Sequence, residues 1–355
     1  MSDTATAAEP EVLIRVEGRV GRITLNRPRA LHALTLNMCL RMAEALLAWQ
    51  DDPAVELVLL DHAGERGFCA GGDIRALYDS ALADGRAARE FFFAEYRLNE
   101  LLHRYQKPVV AILDGVVMGG GVGIGMPARY RVATERTTFA MPEGAIGLFP
   151  DVGGGWYLSR MPHEIGLWLA LTAARIKAAD CELVGAATDY VESARIPELK
   201  AAVLAEPGAI ERLLTEFEAE AGRPPLAEHQ DEIARIFSLG SVEAILEALK
   251  AEDTAWAREQ LDALATKSPQ TLKVAYRQLR AAAALPSFTA NMAMEYRIAY
   301  HIVVRPDFAE GVRAVIVDKD HAPRWNPANV EGVGESLLDE IFAPLPDHEE
   351  WSPLP

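Results

Sequence analysis

Two acidic residues lie in an apolar segment rich in glycine and proline near the middle of the chain. They are Glu143 and Asp151, within Phe139-Ala-Met-Pro-Glu-Gly-Ala-Ile-Gly-Leu-Phe-Pro-Asp-Val-Gly-Gly-Gly155. Apolar surroundings raise the pKa of a carboxyl group and suit it to proton transfer near neutral pH. A single acidic residue in a loop is usually a helix cap or a solvated turn residue, but two in one apolar segment favour a catalytic role.

Two glycine-rich segments precede this one. Phe68-Cys-Ala-Gly-Gly-Asp-Ile74 is typical of a loop-to-helix junction, with Asp73 as the expected cap. Asp114-Gly-Val-Val-Met-Gly-Gly-Gly-Val-Gly-Ile-Gly125 has neither the spacing of a dinucleotide fingerprint nor the Gly-Lys-Ser/Thr of a phosphate-binding loop. Because each glycine destabilises a helix by roughly 0.5–1 kcal/mol, the run has two interpretations. It permits close packing of a helix against a sheet, or it presents free N–H groups to a ligand oxygen.

Other arrangements that carry chemistry are absent from the sequence. No Gly-x-Ser-x-Gly elbow occurs, and no histidine follows His163-Glu164 at the position that a zinc protease requires. The cysteines are widely spaced and lack a CxxC pair, so we expect neither a disulfide framework nor a metal site; they are Cys39, Cys69 and Cys181. The histidines are predicted to be surface or core-edge residues rather than catalysts, among them His32, His62 and His103.

Strand and helix patterns alternate through roughly the first 195 residues, which indicates an α/β fold. Alternation of apolar and polar residues predicts a hairpin of Val12–Val16 and Arg19–Leu25, and helical spacing predicts a helix over Thr35–Trp49 with Thr35 as its cap. The remaining patterns predict buried strands at Val55–Leu60 and Val109–Leu113 and a helix at Phe91–Tyr105.

Helical periods dominate after residue 195, most clearly at Ile210–Glu220, Val242–Lys250, Thr254–Ala265 and Thr271–Ala284. The sequence therefore predicts an α/β core over residues 11–195 and a helical C-terminal region over residues 196–342. We expect residues 1–10 and 343–355 to be flexible tails.

The formal charge of −17 argues against nucleic acid or an anionic membrane as a partner, because both require a basic face. The opening Met1–Pro10 is acidic and lacks both the Arg-rich face of a transit peptide and the apolar core of a secretory signal. No run approaches the ~18 apolar residues of a membrane span. With three unpaired cysteines, this pattern predicts a cytoplasmic protein.

Taken together, the three segments resemble the crotonase (enoyl-CoA hydratase/isomerase) superfamily. Their order, Cys-Ala-Gly-Gly-Asp-Ile, Met-Gly-Gly-Gly-Val-Gly, Met-Pro-Glu and Phe-Pro-Asp-Val-Gly-Gly-Gly, is similar to the 3-hydroxyisobutyryl-CoA hydrolase subtype in particular. The likeness covers nearly the whole chain, since it extends to Arg22–Pro28, Glu95-Tyr-Arg-Leu-Asn99, Met294-Glu-Tyr-Arg297 and Phe308–Asp320.

The resemblance implies a crotonase-like ββα spiral core with a C-terminal all-helical extension. It also implies that the backbone N–H groups of Gly72 and Gly120 form an oxyanion hole for a thioester carbonyl, each donor being worth ~2.7–4 kcal/mol in the transition state. Glu143 then either attacks the carbonyl to form a mixed anhydride or activates water as a general base. Asp151 binds the substrate hydroxyl or orients water, and Glu95 is a further substrate-side carboxylate or a helix-surface residue.

Two positions depart from patterns in the superfamily. Hydratases typically use a second glutamate on the helix after the glycine run, where this chain has Gly123, so their paired acid and base is incomplete here. Family members commonly carry Asn where this chain has His32, near the corner where the superfamily binds CoA. Arg29 is a candidate partner for the CoA phosphates.

These resemblances predict hydrolysis of a short 3-hydroxyacyl-CoA thioester, with 3-hydroxyisobutyryl-CoA of valine catabolism as the first substrate and 3-hydroxypropionyl-CoA as a second. An enoyl-CoA hydratase or isomerase, and a non-catalytic CoA-binding protein, are the alternatives, because a shared fold does not determine chemistry. We expect no cofactor, since CoA is part of the substrate, and a homo-oligomer is possible within the superfamily.

Overall fold

The computed structural model describes residues 9–355, so most of the predicted N-terminal tail lies outside the described residues. The described part opens with the predicted hairpin, whose strands β1 (Val12–Glu17) and β2 (Val20–Leu25) pair antiparallel across the turn at Gly18. From β2 onward the main sheet is parallel. The predicted α/β fold with a helical C-terminal region is confirmed.

Two sheets organise the first half of the chain. The larger has the order β1-β2-β3-β5-β7-β9 and the smaller the order β4-β6-β8. The remaining strands are β3 (Leu57–His62), β4 (Gly67–Cys69), β5 (Val109–Leu113), β6 (Val116–Met118), β7 (Tyr130–Ala133), β8 (Thr138–Ala140) and β9 (Asp189–Tyr190).

The central strand β3 is buried on both faces, which explains its unbroken apolar pattern. Because side chains alternate along a strand, Val58 and Leu60 join one apolar cluster while Leu57 and Leu59 join another on the opposite face. The second cluster is completed by helices of the C-terminal region. The sheet is therefore covered on both sides.

The helices of the first half connect the strands. Thr35 caps the first of them as predicted, its hydroxyl accepting the N–H of Met38 at 3.2 Å. These helices are α1 (Leu36–Gln50), α2 (Ile74–Ala81), α3 (Arg86–His103), α4 (Gly120–Gly125), α5 (Gly154–Leu158), α6 (Ile165–Thr172) and α7 (Ala178–Leu183).

The C-terminal region is helical, and four of its helices begin with a Ser or Thr whose hydroxyl accepts a backbone N–H of the first turn. Its helices are α8 (Ile196–Ala205), α9 (Ile210–Phe217), α10 (Gln230–Phe237), α11 (Val242–Glu252), α12 (Ala255–Ala265), α13 (Pro269–Ala282), α14 (Phe288–Ile302), α15 (Pro306–Val312) and α16 (Glu335–Ile341). A π-helical turn over Arg313–Val317 follows α15.

The two halves share one apolar core. A single cluster of buried side chains runs from Val12 to Trp351, and α13 and α14 pack against elements of the first half. The division at residue 195 stays a prediction of the sequence. In functional terms, this shared core allows the C-terminal helices to contribute to a site built on the first half.

The segment 343–355 packs on the protein surface, where the sequence pattern predicted a flexible tail. Trp351 is buried and its indole N–H donates to the carbonyl of Phe93, while Arg297 pairs with Glu350 at 2.8 Å. Aromatic burial and charge pairing with distant residues hold this segment, and neither is visible in its own composition. Within the described range, 9–355, no helix combines the length and apolarity that crossing a membrane demands.

Candidate active site

A cavity of about 490 Å³ lies between the glycine-rich segments and the C-terminal region. Five of the six residues that the sequence singled out as site residues line it, namely Gly72, Glu95, Gly120, Glu143 and Asp151. Arg29 is not among the lining residues, since it lies exposed on the short 3-10 helix Pro28–Ala30. The structure thus brings together residues from four separate stretches of the chain.

Gly72 and Gly120 line the same cavity because the strands that precede them, β4 and β6, are neighbours. β4 and β6 pair in parallel, so the segments that follow them leave the same edge of the small sheet. The nitrogen of Gly120 lies 3.7 Å from the position that a β-carbon on Gly71 would occupy. Within residues 9–355, the N–H groups of Gly72 and Gly120 have no hydrogen-bond acceptor. Two unpaired backbone donors therefore line one cavity.

Close packing requires glycine at position 120. A β-carbon there would lie 2.5 Å from Oε1 of Glu95 and 3.1 Å from Cδ1 of Leu34. Real β-carbons do not approach other atoms so closely, so any side chain would displace Glu95 or the start of α4. The first interpretation of the glycine run, close packing, thus holds at this position, and binding of a ligand oxygen stays a prediction.

Three carboxyl groups meet at the cavity. Glu143 begins a 3-10 helix over Glu143–Ile146, and its Oε2 is buried with no hydrogen-bond partner among residues 9–355. Glu95 projects from α3, and its Oε1 is likewise buried without a partner in the described part of the chain. Asp151 accepts a hydrogen bond of 2.8 Å from the hydroxyl of Tyr96. A substrate would find acceptors that the protein itself leaves unpaired.

Burial raises the pKa of all three carboxyls, and repulsion from neighbouring carboxylates adds to the rise at Glu143 and Glu95. Desolvation, followed by repulsion from Asp151, holds the pKa of Glu143 well above its usual range. The pKa of Glu95 is also well above its usual range, because of desolvation and of repulsion from Asp151 and Glu143. Desolvation raises the pKa of Asp151 to about 7, although the hydrogen bond from Tyr96 favours its charged form. Because the charge of each group affects its neighbours, protonation of one carboxyl changes the pKa of the others.

The space that a second hydratase glutamate would need is occupied. A β-carbon on Gly123 would lie 2.5 Å from Cβ of Val152 and 2.8 Å from Nδ2 of Asn99. Val152 itself has φ +54°, a left-handed conformation that is strained for a β-branched residue and costs on the order of 1–3 kcal/mol. The turn that carries Asp151 thus fills the position of the missing acid.

Several residues of the site were not identified from the sequence. Tyr96, which contacts Asp151, lies inside the Glu95-Tyr-Arg-Leu-Asn99 segment that carries the family resemblance, so the motif was the available signal. The cavity wall also includes Val315 and Ile316, which lie in the family segment Phe308–Asp320. Its other such residues had no local signal in the sequence: Arg175, Thr266, His321 and Pro323. The C-terminal region therefore closes one side of the cavity.

Two sequence-based expectations about side chains are wrong. Asp73 precedes α2 but its carboxylate accepts no capping bond from the helix; it pairs with Arg27 at 2.9 Å instead. The histidines were expected at the surface or at the edge of the core. His103 is exposed, whereas His32 and His62 are buried, with ring centroids 5.5 Å apart. His32 has φ +58°, a conformation in which Asn and His are both favoured, which agrees with Asn being common there in the family.

The sequence is similar to those of known proteins along nearly its whole length. The chain matches the family model described as enoyl-CoA hydratase/isomerase over residues 20–342. A protein of Danio rerio named "3-hydroxyisobutyryl-CoA hydrolase, mitochondrial" is 43% identical over 97% of this chain and 92% of the relative. The protein of Homo sapiens with the same name is 42% identical over 97% of this chain and 91% of the relative.

Solved structures share the fold. A structure described as a carnitinyl-CoA dehydratase from Mycobacterium thermoresistibile superposes with a TM-score of 0.92 and 44% identity, covering 96% of this chain and 98% of that one. One described as an enoyl-CoA hydratase from Rhodobacter sphaeroides 2.4.1 has a TM-score of 0.90 and 40% identity over 97% and 100% of the two chains. The predicted crotonase-like fold is confirmed.

The predicted cytoplasmic location is contradicted by these comparisons, because the relatives are named as mitochondrial proteins. The three cysteines are buried and free, which fits any reducing compartment. Thiol state and surface charge therefore did not distinguish the cytoplasm from a mitochondrial location.

Proposed function

This chain belongs to the enoyl-CoA hydratase/isomerase family, and we propose that it hydrolyses 3-hydroxyisobutyryl-CoA to 3-hydroxyisobutyrate and free CoA. One observation carries the proposal. Glu143 and Asp151 converge with two free backbone N–H groups on one cavity, while Val152 occupies the space of the second hydratase acid. The relatives named as hydrolases of this thioester support the same substrate, and the product assigns the reaction to valine catabolism.

The N–H groups of Gly72 and Gly120 form the oxyanion hole in this proposal. The thioester oxygen accepts from both donors, which bind it more tightly as negative charge develops on it. Support comes from the absence of any competing acceptor for either N–H within residues 9–355. Because both donors belong to backbone fixed by the small sheet, they need no reorganisation during the reaction.

Glu143 cleaves the thioester by one of two routes. In the first, its carboxylate attacks the carbonyl carbon, the C–S bond breaks with release of CoA thiolate, and water then hydrolyses the resulting mixed anhydride. In the second, the carboxylate removes a proton from water, which attacks the carbonyl directly. Label in Glu143 after single-turnover hydrolysis in ¹⁸O-labelled water would establish the first route, because attack of water on the Glu143 carbonyl of an anhydride places label in the protein and the second route does not.

Asp151 and Glu95 act on the acyl group. Asp151 accepts a hydrogen bond from the 3-hydroxyl of the substrate or orients the attacking water, and Tyr96 holds its other oxygen. Glu95 lies beside Gly120, and its unpaired Oε1 is available to a donor of the substrate. The reaction consumes only water, so its chemistry requires no redox cofactor.

Arg175 is proposed to bind a phosphate of CoA, in addition to Arg29. It lies exposed among the residues that line the cavity. Arg175→Ala should raise the KM for the acyl-CoA about two- to fivefold with little change in kcat, since an exposed ion pair contributes roughly 0.2–1 kcal/mol. Steady-state kinetics of R175A and R29A would show which cation binds, and an unchanged KM in R175A contradicts its assignment.

Enoyl-CoA hydration is the second candidate function, because the two solved structures that superpose over nearly the whole chain are described as a dehydratase and a hydratase. The crowding around Gly123 argues against it. A hydratase would consume crotonyl-CoA, with loss of its conjugated absorbance and without release of thiol.

The deciding experiment compares CoA release from 3-hydroxyisobutyryl-, 3-hydroxypropionyl- and crotonyl-CoA, followed with a thiol reagent. We expect release from the two 3-hydroxyacyl thioesters and little from crotonyl-CoA. Hydration of crotonyl-CoA without thiol release would favour the second candidate. Binding of all three without turnover would favour a non-catalytic CoA-binding protein.

The pH dependence of hydrolysis should reflect the ionisation of Glu143 and its repulsion by Asp151. Because Glu143 acts in its ionised form and its pKa is raised, kcat/KM is expected to increase with pH up to and through neutrality. Asp151→Asn removes a negative charge that repels Glu143, so the midpoint should move to lower pH although the rate falls. Rate profiles from about pH 5 to about pH 9 measure this shift. A midpoint that stays in place or moves upward in D151N contradicts the electrostatic account.

A further inference from the structure

We propose that Glu295, on helix α14 of the C-terminal region, is a positioning residue that holds the turn carrying Asp151 in its productive conformation. The inference rests on the proposed function only for the role of Asp151. Glu295 does not line the cavity, so it acts through the turn rather than by touching the substrate.

The carboxylate of Glu295 is bound to the turn by both of its oxygens. Its Oε2 accepts the N–H of Gly153 at 2.7 Å, and its Oε1 accepts the N–H of Gly155 at 2.8 Å. These two donors lie two and four residues after Asp151. A single side chain on another helix therefore fixes the backbone that follows the catalytic carboxylate.

The backbone before Asp151 is held by the same group of side chains. Nε2 of Gln278 on α13 donates to the carbonyl of Pro150 at 2.7 Å and to Oε1 of Glu295 at 3.1 Å. Nδ2 of Asn291 donates to the same Oε1 at 2.9 Å. All three side chains are buried. Both ends of the turn are thus hydrogen-bonded to one buried polar cluster, formed by Gln278, Asn291 and Glu295.

The conformation of the turn explains why it must be held. Val152 and Gly153 both have positive φ, +54° and +88°, and a β-branched residue keeps a left-handed conformation only where its surroundings impose it. The fit around the cluster is close, since a β-carbon on Gly155 would lie 2.8 Å from Oδ1 of Asn291. Without the two bonds to Glu295, the backbone at Val152 can relax and Asp151 then moves.

A purely structural ion pair does not account for Glu295. Its hydrogen-bond donors are neutral amides, so its charge is stabilised by N–H groups of the turn and of the cluster. Burial raises the pKa of Glu295 to about 8, while the N–H donors of Gly153, Asn291 and Gly155 favour the ionised form, in which both oxygens accept. A buried carboxylate is costly unless hydrogen bonds replace its lost hydration, and two of the bonds that do so here hold the turn that carries Asp151.

The test is a double-mutant cycle of Glu295→Gln and Asp151→Asn, with kcat/KM measured for 3-hydroxyisobutyryl-CoA and for isobutyryl-CoA, which lacks the hydroxyl. The amide of E295Q can accept only one of the two turn N–H groups. We expect E295Q to lose about tenfold or more with the hydroxylated substrate, to discriminate between the two substrates in the same way as D151N, and to cause no further loss in D151N. The pH midpoint of kcat/KM in E295Q should fall towards that of D151N, because a released Asp151 repels Glu143 less.

Asp180→Asn is the matched control. Asp180 is a buried carboxylate on α7 that accepts the N–H of Leu226 at 2.9 Å, away from the residues that line the cavity. D180N removes a charge and weakens a distant backbone contact, so it reports the effect of lost stability alone. We expect it to leave the discrimination between the two substrates and the pH midpoint unchanged.

Hydrogen–deuterium exchange of the peptide covering residues 150–158 tests whether Glu295 holds the turn, and it needs no substrate. The amides of Gly153 and Gly155 should exchange faster in E295Q than in the wild type, and should be unchanged in D180N. If E295Q does not fold, Gln278→Ala loosens the same turn from its other end and enters the same cycle.

Unchanged exchange at these amides overturns the proposal. So does a loss in E295Q that is equally large in the D151N background, or whose dependence on the substrate differs from that of D151N. A wild-type protein that releases no CoA would instead refute the proposed function, and the exchange data would still decide whether Glu295 holds the turn.

Discussion

Glu143→Gln is expected to reduce CoA release from 3-hydroxyisobutyryl-CoA by about 10²–10⁴-fold, the range that a positioned acid–base group contributes. The neutral amide can neither attack the thioester nor take a proton from water, so both routes fail. Folding should be preserved, because the side chain keeps its size and its Oε2 has no partner to lose among residues 9–355. Steady-state and single-turnover rates measured with a thiol reagent check the loss.

A matched control for this substitution is Glu247→Gln, at an exposed position of α11 where the carboxylate pairs with Lys250 at 2.7 Å. We expect E247Q to keep wild-type kinetics. The thermal stability of E143Q should equal or exceed that of the wild type, since a desolvated carboxyl is removed from a group of three. Full thioesterase activity in E143Q would show that the assigned role of Glu143 is wrong.

Gly120→Ala should lower kcat by about 10²–10³-fold, the typical cost of losing one oxyanion donor. The added methyl group would lie 2.5 Å from Oε1 of Glu95 and 3.1 Å from Cδ1 of Leu34. Either Glu95 is displaced within the cavity, or the start of α4 shifts and carries the N–H away from the carbonyl oxygen. Kinetics with 3-hydroxyisobutyryl-CoA, together with a thermal melt, separate this loss from unfolding.

Gly240→Ala provides the comparison, because a β-carbon at Gly240 meets no atom within 4 Å. We expect G240A to behave as the wild type in both assays. If G120A retained wild-type kcat while remaining folded, the N–H at position 120 could not be an oxyanion donor.

Local pattern and motif were sufficient for much of the fold and for most of the site. Alternating residues predicted the β1–β2 hairpin, and the cap at Thr35 was predicted because its bond lies within four residues. Gly72, Gly120, Glu143 and Asp151 were identified because each lies in a short segment whose unusual composition the family shares, and all four line the cavity.

Predictions that depended on distant partners were less successful. Asp73 pairs with Arg27, 46 residues away in the chain, instead of capping α2. The segment 343–355 is held by contacts such as that between Trp351 and Phe93, which are 258 residues apart. Composition of a segment describes its own preferences, and a partner elsewhere in the fold can outweigh them by burial or charge.

By itself, the sequence determined the order of the elements, the family, and the chemical groups available for catalysis, because these reside in local spacing and residue type. Only the tertiary structure decided that the pKa of Asp151 lies at about 7, that Val152 occupies the place of a second acid, and that Glu295 holds a turn 142 residues away. Desolvation, excluded volume and hydrogen-bond geometry depend on every atom that surrounds a group, and those atoms come from all parts of the chain.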